Sequence, residues 1–462
     1  MKTITLKVDL YDYQQVEKTC KLAAEKLGLD AGVLQEDLDA LTVELESYMH
    51  QQRTAKASRV LAQAPVLTSA QTAECLKFLK AEKLMERIGE LIGRCGIVGE
   101  EENRLLLFVV ASSYKMPEPL HALIQGSSGS GKTRLLDVIA RCMPTEDVKR
   151  FTRVTDNAFY NQTEDYFTHK LVCLEDLDGL KEDAQLAVRE LQSRGVLTSS
   201  TSVKDERGAI HGGERTVRGP IASLACTTRG EVYEDNVSRS LVVAVDESSA
   251  QTQRVIGYQN ARAAGRSTEV FAGAEEQEKN RQLLANCVRM LRSYEVVNPY
   301  ADLIKLPESA HKIRRLNELY LCFVRQVALL NQYQRKRDDR GRIIAQVEDL
   351  HAACSILFES ILLKVDELDG SLRQFFERLK TMVTKNGMPR DRKFDRHEVR
   401  EALGVSKTQQ QRYLSQLIQL EYVRQEGFAN RGYKYQIGRW DDAIAVRESI
   451  HAEMQKQLNE LV

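Results

Sequence analysis

Residues Gly126 to Thr133 read Gly-Ser-Ser-Gly-Ser-Gly-Lys-Thr. An apolar run, Leu120 to Ile124, precedes them, and a helical pattern, Arg134 to Cys142, follows. A strand, a glycine loop and a helix in that order make a phosphate cradle. Glycine lets backbone N–H groups turn inward without a Cβ clash, and the new helix points its positive end at the same spot. In the cradle of Gly126, Ser127, Ser128, Gly129, Ser130 and Gly131, Lys132 can reach the β- and γ-phosphates and Thr133 can hold Mg²⁺. A flexible Gly/Ser turn would not need Lys and Thr at these offsets. The expected ligands are therefore ATP and Mg²⁺.

A second stretch, Leu171-Val-Cys-Leu-Glu175-Asp176-Leu-Asp178, is a buried-strand pattern that ends in acids. Beside a phosphate loop, one such carboxylate can hold Mg²⁺ through water and another can orient the attacking water. The strand Ile221–Cys226 is followed by Thr227 and Thr228, polar residues able to touch a γ-phosphate or the lytic water. Arg239 precedes a further apolar strand, Leu241–Val245. An arginine there is ordinarily a surface residue, and it matters to catalysis only if it reaches a neighbouring subunit's phosphate.

These residues need a scaffold. Short apolar runs alternate with helical segments from Leu120 to about Glu247, which argues for a parallel sheet covered by helices. Between the acids and Ile221, Thr198–Lys204 and His211–Val217 suit a hairpin with Lys204, Arg207 and Arg215 at or near its tip. Four Lys/Arg against three Asp/Glu between Thr198 and Pro220 suit a surface hairpin equally well. Two amphipathic helices, Tyr11–Leu27 and Ala31–Arg53, open the chain behind a short strand, Met1–Asp9, and Thr54–Pro65 reads as a linker. Ser69 is placed as the N-cap of a helix running to about Cys95.

The chain has 462 residues, 42% hydrophobic and 29% charged, with zero formal net charge. That is a globular composition, so any nucleic-acid surface must be local. Nine cysteines are scattered without a Cys-x-x-Cys or Cys/His cluster, which argues against structural zinc and suits a reducing compartment. With no signal-peptide pattern and no membrane-length apolar run, a cytoplasmic protein without a membrane partner is expected.

The charge is local in one place. Ser371 to Arg439 holds 15 Lys and Arg against 7 Asp and Glu. Its pattern is helix, helix, a Gly404-Val-Ser turn, helix, then two short strands flanking Gly427–Gly432. This is the layout of a winged helix-turn-helix. Lys407, Gln410 and Arg412 would face a DNA groove, with Arg431 on the minor groove or backbone.

The order and spacing of these motifs resemble the AAA+ ATPases, and most closely the minichromosome-maintenance helicases and their relatives on bacterial mobile elements. Val172–Asp178 resembles the family's apolar–Asp–Glu–Phe–Asp stretch. Val188-Arg-Glu-Leu-Gln192 with the following hairpin resembles the element before sensor 1. Asn236-Val-Ser-Arg239-Ser resembles its arginine finger, and Lys312-Ile-Arg314-Arg315-Leu its sensor 2. By position, Glu175 would organise Mg²⁺ and Asp176 would be catalytic, but the acids stand as Glu-Asp where the family has Asp-Glu, so the roles are open to exchange. Sensor 1 is usually Asn; here Thr227 or Thr228 must serve, and Thr228 is taken. The family's DNA-binding N-terminal domain with its zinc site has no counterpart.

The resemblance implies an α/β AAA+ core over 66–249, after a mainly helical region at 1–65. A helical lid with connecting helices follows at 250–369, then a winged helix domain at 370–440 and a helical tail at 441–462. It implies a homo-hexamer acting on single-stranded or forked DNA, with a primase or replication partner, as a helicase. The alternatives are an ATP-hydrolysing switch such as a helicase loader, initiator or transposition regulator, and a transcription activator.

Overall fold

The computed structural model describes residues 6–8, 10, 13–60, 65–204, 210–228, 239–266, 273–308, 310, 312–366, 368, 370–428, 432–441 and 443–461. The chain divides into two compact units, Met1–Val66 and Leu67–Val462. The first is a helix pair, α1 (Tyr13–Leu27) and α2 (Ala31–Val60). Helix α2 runs past the expected stop at Arg53, because Thr54-Ala-Lys-Ala-Ser-Arg-Val contains helix formers and no Gly or Pro. The strand expected over Met1–Asp9 lies largely outside the described residues.

The second unit opens with α3 (Ser69–Leu79), capped by Thr68 rather than Ser69. Thr68 and Gln71 exchange side-chain and backbone bonds in a capping box. The single helix expected to Cys95 is two helices. Lys83, at φ 55°, takes a left-handed turn before α4 (Leu84–Arg94). Helix α5 (Glu101–Ser112) then leads to β1 (His121–Gln125).

The strands that follow are β1, β2 (Val148–Phe151), β3 (Lys170–Leu174), β4 (Val196–Lys204), β5 (Ile210–Arg218), β6 (Ile221–Thr227) and β7 (Leu241–Ala244). Five of them form one parallel sheet in the order β2-β3-β6-β1-β7. Both faces are covered. Ala122, Ile124, Leu171 and Cys173 pack into the core with α5 and α6 (Lys132–Arg141). Leu123, Val172 and Leu174 pack on the other side with Phe159, Phe167 and α7 (Glu182–Arg194). The two-residue alternation within continuous apolar strands produces both layers at once. Strands β4 and β5 stand apart as an antiparallel hairpin, with Ser199 opposite Arg215 and Lys204 opposite Ile210.

Four long helices follow: α8 (Ser249–Ala263), α9 (Ala274–Met290), α10 (Ile313–Leu330) and α11 (Val347–Val365). The last segment holds α12 (Gly370–Thr384), α13 (Arg396–Leu403) and α14 (Lys407–Gln419), then an antiparallel hairpin of 423–428 with 432–437 and a final helix, α15 (Ala443–Asn459). Within this second unit, residues 368–437 form a smaller C-terminal unit with a core of its own, built on Phe375, Phe376, Phe394, Leu417 and Tyr435. Asp395 caps α13 in a capping box with Glu398, Gly404 ends it at φ 65°, and Ser406 caps α14.

The charged stretch Arg335–Arg342 reads as a solvated turn in sequence, yet Arg335 is drawn inside. Its guanidinium donates to both oxygens of Asp349 at 2.7 Å, and that carboxylate, fully buried, also accepts from Asn331 at 2.9 Å. Removing one member of a buried pair strands the other. Asp349→Ala should therefore cost about 3–5 kcal/mol of folding stability, read by denaturant unfolding of the purified protein.

Candidate functional site

The loop Gly126–Gly131 joins β1 to α6. Gly129 at φ 82° and Gly131 at φ 101° sit in the left-handed region, where a side chain is strained. Gly126 is constrained by contact instead: a Cβ there would lie 2.6 Å from Ser130 Oγ, so that hydroxyl would have to move. Lys132 is the first residue of α6 and only 7% exposed. Its Nζ folds back to donate to the Gly126 carbonyl at 2.8 Å and the Ser127 carbonyl at 2.6 Å. Burial lowers its pKa from the usual lysine value, opposed by Cys226 and by the negative charges of Glu247, Asp178 and Asp176. Ser128 and Thr133 are exposed beside it.

The acids divide among different partners. Glu175 Oε1 accepts from Arg150 at 2.9 Å, and Arg150 also donates to Asp137 of α6 at 2.6 Å. Asp176 Oδ1 accepts the N–H groups of Asp178 at 3.1 Å and Gly179 at 3.2 Å, closing a turn. Asp178 ties that turn to the end of β6. It accepts from the Thr227 hydroxyl at 2.7 Å, and from the Thr228 N–H at 2.7 Å and hydroxyl at 2.9 Å. Both threonines thus point at Asp178. Asp178, the last acid of that sequence motif, belongs to this site together with Arg150 and Glu247, which local sequence did not single out. The signals were there: Arg150 lies on an edge strand, and Glu247 follows a strand that pairs with β1.

Glu247 receives the N–H of Ser127, and its other oxygen accepts the Ser127 hydroxyl at 2.9 Å. A cavity of about 380 Å³ opens on the loop between Gly96, Val98, Gly129, Gln251 and Tyr258. Its position beside the loop and its mixed apolar and amide lining suit a nucleotide base. Among the described residues no group of three or more His, Cys, Asp or Glu side chains forms a metal cage. Mg²⁺ normally keeps few protein ligands and leans on phosphate oxygens. Thr133 with one of the acids after β3 fits that requirement.

Arg239 lies elsewhere. Its Nε donates to Ser193 Oγ at 2.6 Å, and its charge acts on His121, the first residue of β1. The phosphate loop leaves the other end of that strand, about 13 Å along. Arg239 lines a cavity of about 1030 Å³ together with Arg194, Arg218, Arg315 and Arg325. Arg314 is exposed on the first turn of α10 and lies outside that lining; its neighbour Arg315 is inside it.

Of the residues expected to meet DNA, Arg207 and Arg431 lie outside the described residues, and only the backbone of Lys204 is described. Arg215 donates to Asn161 at 2.7 Å. Lys407 is exposed at the start of α14. Gln410 is 2% exposed and donates to the Arg396 carbonyl, so it braces α13 against α14 and cannot face a groove. Arg412 is exposed, yet its guanidinium donates to the Thr228 carbonyl at 3.2 Å, on the end of β6.

A family model described as the MTBMA_p00010 P-loop domain matches residues 69–280. No curated protein matches the chain. The match runs from α3 into α9 and contains the loop, the acids after β3 and the ends of β6 and β7. Residues 69–280 are thus a P-loop domain, which supports a nucleotide-binding NTPase. No helix among the described residues is long and apolar enough to cross a membrane.

His121 offers a pH test of this scaffold. It is buried between Ser223 and the Gln192 carbonyl, and burial, with a smaller push from Arg239, lowers its pKa to about 4. The unfolded chain would take up that proton first, near pH 6.5. The stability from neutral His121 is present above pH 6.5 and lost as pH falls towards 4, on the order of 3 kcal/mol in all. Unfolding free energies measured from pH 7 to 4.5 should therefore fall less steeply for His121→Gln than for the wild type.

Proposed function

We propose that the chain is a ring-forming, Mg²⁺- and ATP-dependent DNA translocase of the AAA+ class, acting as a helicase, with a C-terminal winged helix. One observation carries this reading. Arg239 and Arg315 share a basic cavity at the end of β1 opposite the phosphate loop, so they suit another copy's triphosphate and not their own. The strand order, with β6 between the acid-bearing β3 and the loop-bearing β1, and the hairpin inserted before β6, are further support.

Lys132 would orient the β- and γ-phosphates and Thr133 with Glu175 would hold Mg²⁺, which neutralises charge on the transferring group. Asp176 would accept the proton of the attacking water, released from its turn with Asp178. Thr228, linked to Asp178, would register the state of that carboxylate at the end of β6. Arg239 from the next copy would stabilise the transition state, an effect on the order of 10³–10⁵ in rate. Hairpins of successive copies, six by the family resemblance, would grip a sugar–phosphate backbone through hydroxyls and cations without reading sequence.

A switch that hydrolyses ATP without unwinding is the second reading. The Arg412–Thr228 contact favours it, because it places the C-terminal unit against the ATPase core.

Lys132→Ala should abolish nucleotide binding, and Arg239→Ala should leave binding intact but stop turnover. An equimolar mixture of the two should regain part of the turnover, since each supplies what the other lacks. Normal turnover by Arg239→Ala alone would sink the shared-site reading. Strand displacement from a labelled forked duplex, read together with particle mass, separates the helicase from the switch. A ring that hydrolyses ATP but never separates strands is the switch.

A further inference from the structure

The C-terminal unit holds the phosphate loop by a short chain of hydrogen bonds. Beyond the end of β7, Val245 donates its N–H to the Gln125 carbonyl at 3.0 Å, and Asp246 and Glu247 follow. Gln374 of α12 lies alongside, accepting the Glu247 N–H on Oε1 at 3.3 Å and donating from Nε2 to the Val245 carbonyl at 3.3 Å. A single side-chain amide thus pairs with an N–H and a C=O two residues apart, as a neighbouring strand would. The carboxylate of the same Glu247 takes the N–H and hydroxyl of Ser127. Ser127 in turn presents the carbonyl that accepts from Lys132 at 2.6 Å. The chain therefore runs Gln374, Glu247, Ser127, Lys132.

The helix bearing Gln374 is seated closely. A Cβ on Gly370 would lie 2.3 Å from the Ala244 Cβ, so α12 starts in direct contact with β7. Glu247 also carries a charge that acts on Lys132, so a shift of its carboxylate changes both the shape and the field of the loop.

We propose that Glu247 and Gln374 are positioning residues for the phosphate loop, through which the seating of the C-terminal unit sets nucleotide affinity. The inference rests on the nucleotide-binding reading of the loop. Glu247 does not touch the reacting atoms; it fixes the first turn of the loop, and Gln374 fixes the backbone of Glu247. Coupling of this kind is reciprocal, so nucleotide must also change the stability of α12.

The experiment uses the full chain with ATPγS. Equilibrium binding is measured for the wild type, Gln374→Leu, Glu247→Gln and the double variant, with hydrogen exchange of residues 370–384 followed in each. Gln374→Leu keeps the size of the side chain and removes both bonds. It should weaken binding about 5- to 10-fold with the melting temperature held, as expected for loss of one or two hydrogen bonds. The double variant should bind no worse than the weaker single variant, since both break one chain. Nucleotide should alter exchange over 370–384 in the wild type and not in Gln374→Leu. If the wild type binds ATPγS, yet Gln374→Leu binds as tightly and keeps the exchange response, the inference is overturned. Additive losses in the double variant overturn it too. A wild type that does not bind ATPγS overturns the nucleotide reading itself, and Lys132→Ala is the negative control that shows the signal is the loop's.

Discussion

Parallel pairing is the constraint on which the site depends. When all five strands of a sheet run the same way, every C-terminal end opens on one edge. Register fixes how those ends meet: Gln125 lies opposite Thr227 on one side and Ala244 on the other. The residues just beyond each strand are therefore neighbours however far apart they are in the chain. The loop after β1, the acids after β3, Thr228 after β6 and Glu247 after β7 converge for this reason alone. The continuous apolar strands needed to bury both faces of such a sheet thus fix the position of the chemistry.

What converges is mostly acidic. Asp176, Asp178 and Glu247 all act on Lys132, which is itself mostly buried. Glu175 has a cation, Arg150, but that cation is shared with Asp137. A triphosphate brought to this edge adds several more negative charges. Like charges at a few ångströms oppose one another strongly where water is excluded. Lys132 alone does not offset that; Arg134 and Arg262, which line the cavity beside the loop, and a divalent cation would share the task. Among the described residues a larger group of arginines, Arg239 and Arg315 among them, lies at the opposite end of β1.

The features legible in the sequence are the local ones. The phosphate loop is a contiguous string whose glycines and lysine act within eight positions, and the strand before it follows from the apolar run Leu120–Ile124. The caps of α13 and α14 were equally local, in Asp395, Glu398, Gly404 and Ser406. Contacts across strands were not legible. Glu247 meets Ser127 across 120 residues, Thr227 meets Asp178 across 49, and Arg150 meets Glu175 across 25. No periodicity carries that information, because it follows from strand order. The break at Lys83 was hidden for a different reason: a left-handed lysine has no sequence signature, unlike a glycine. Gln410 was misread against a pattern that was present. On α14 it shares a face with Tyr413, Leu414 and Leu417, which are all buried.

The C-terminal unit differs in how it is attached. Its aromatic core is its own, and Arg373 secures its base through Asp366 and Asp441, each at 2.6 Å. Its hydrogen bonds to the C-terminal edge of the sheet include the Gln374 pair and the Arg412 bond to Thr228, beside the close approach of Gly370 to Ala244. A typical hydrogen bond contributes only about 0.5–1.5 kcal/mol net, because water replaces what is lost. Two of the places the unit touches are the end of β7, which holds the loop through Glu247, and the end of β6, which carries Thr228. Those are the two strands flanking β1, so any change in how the unit is seated acts on both sides of the phosphate loop together.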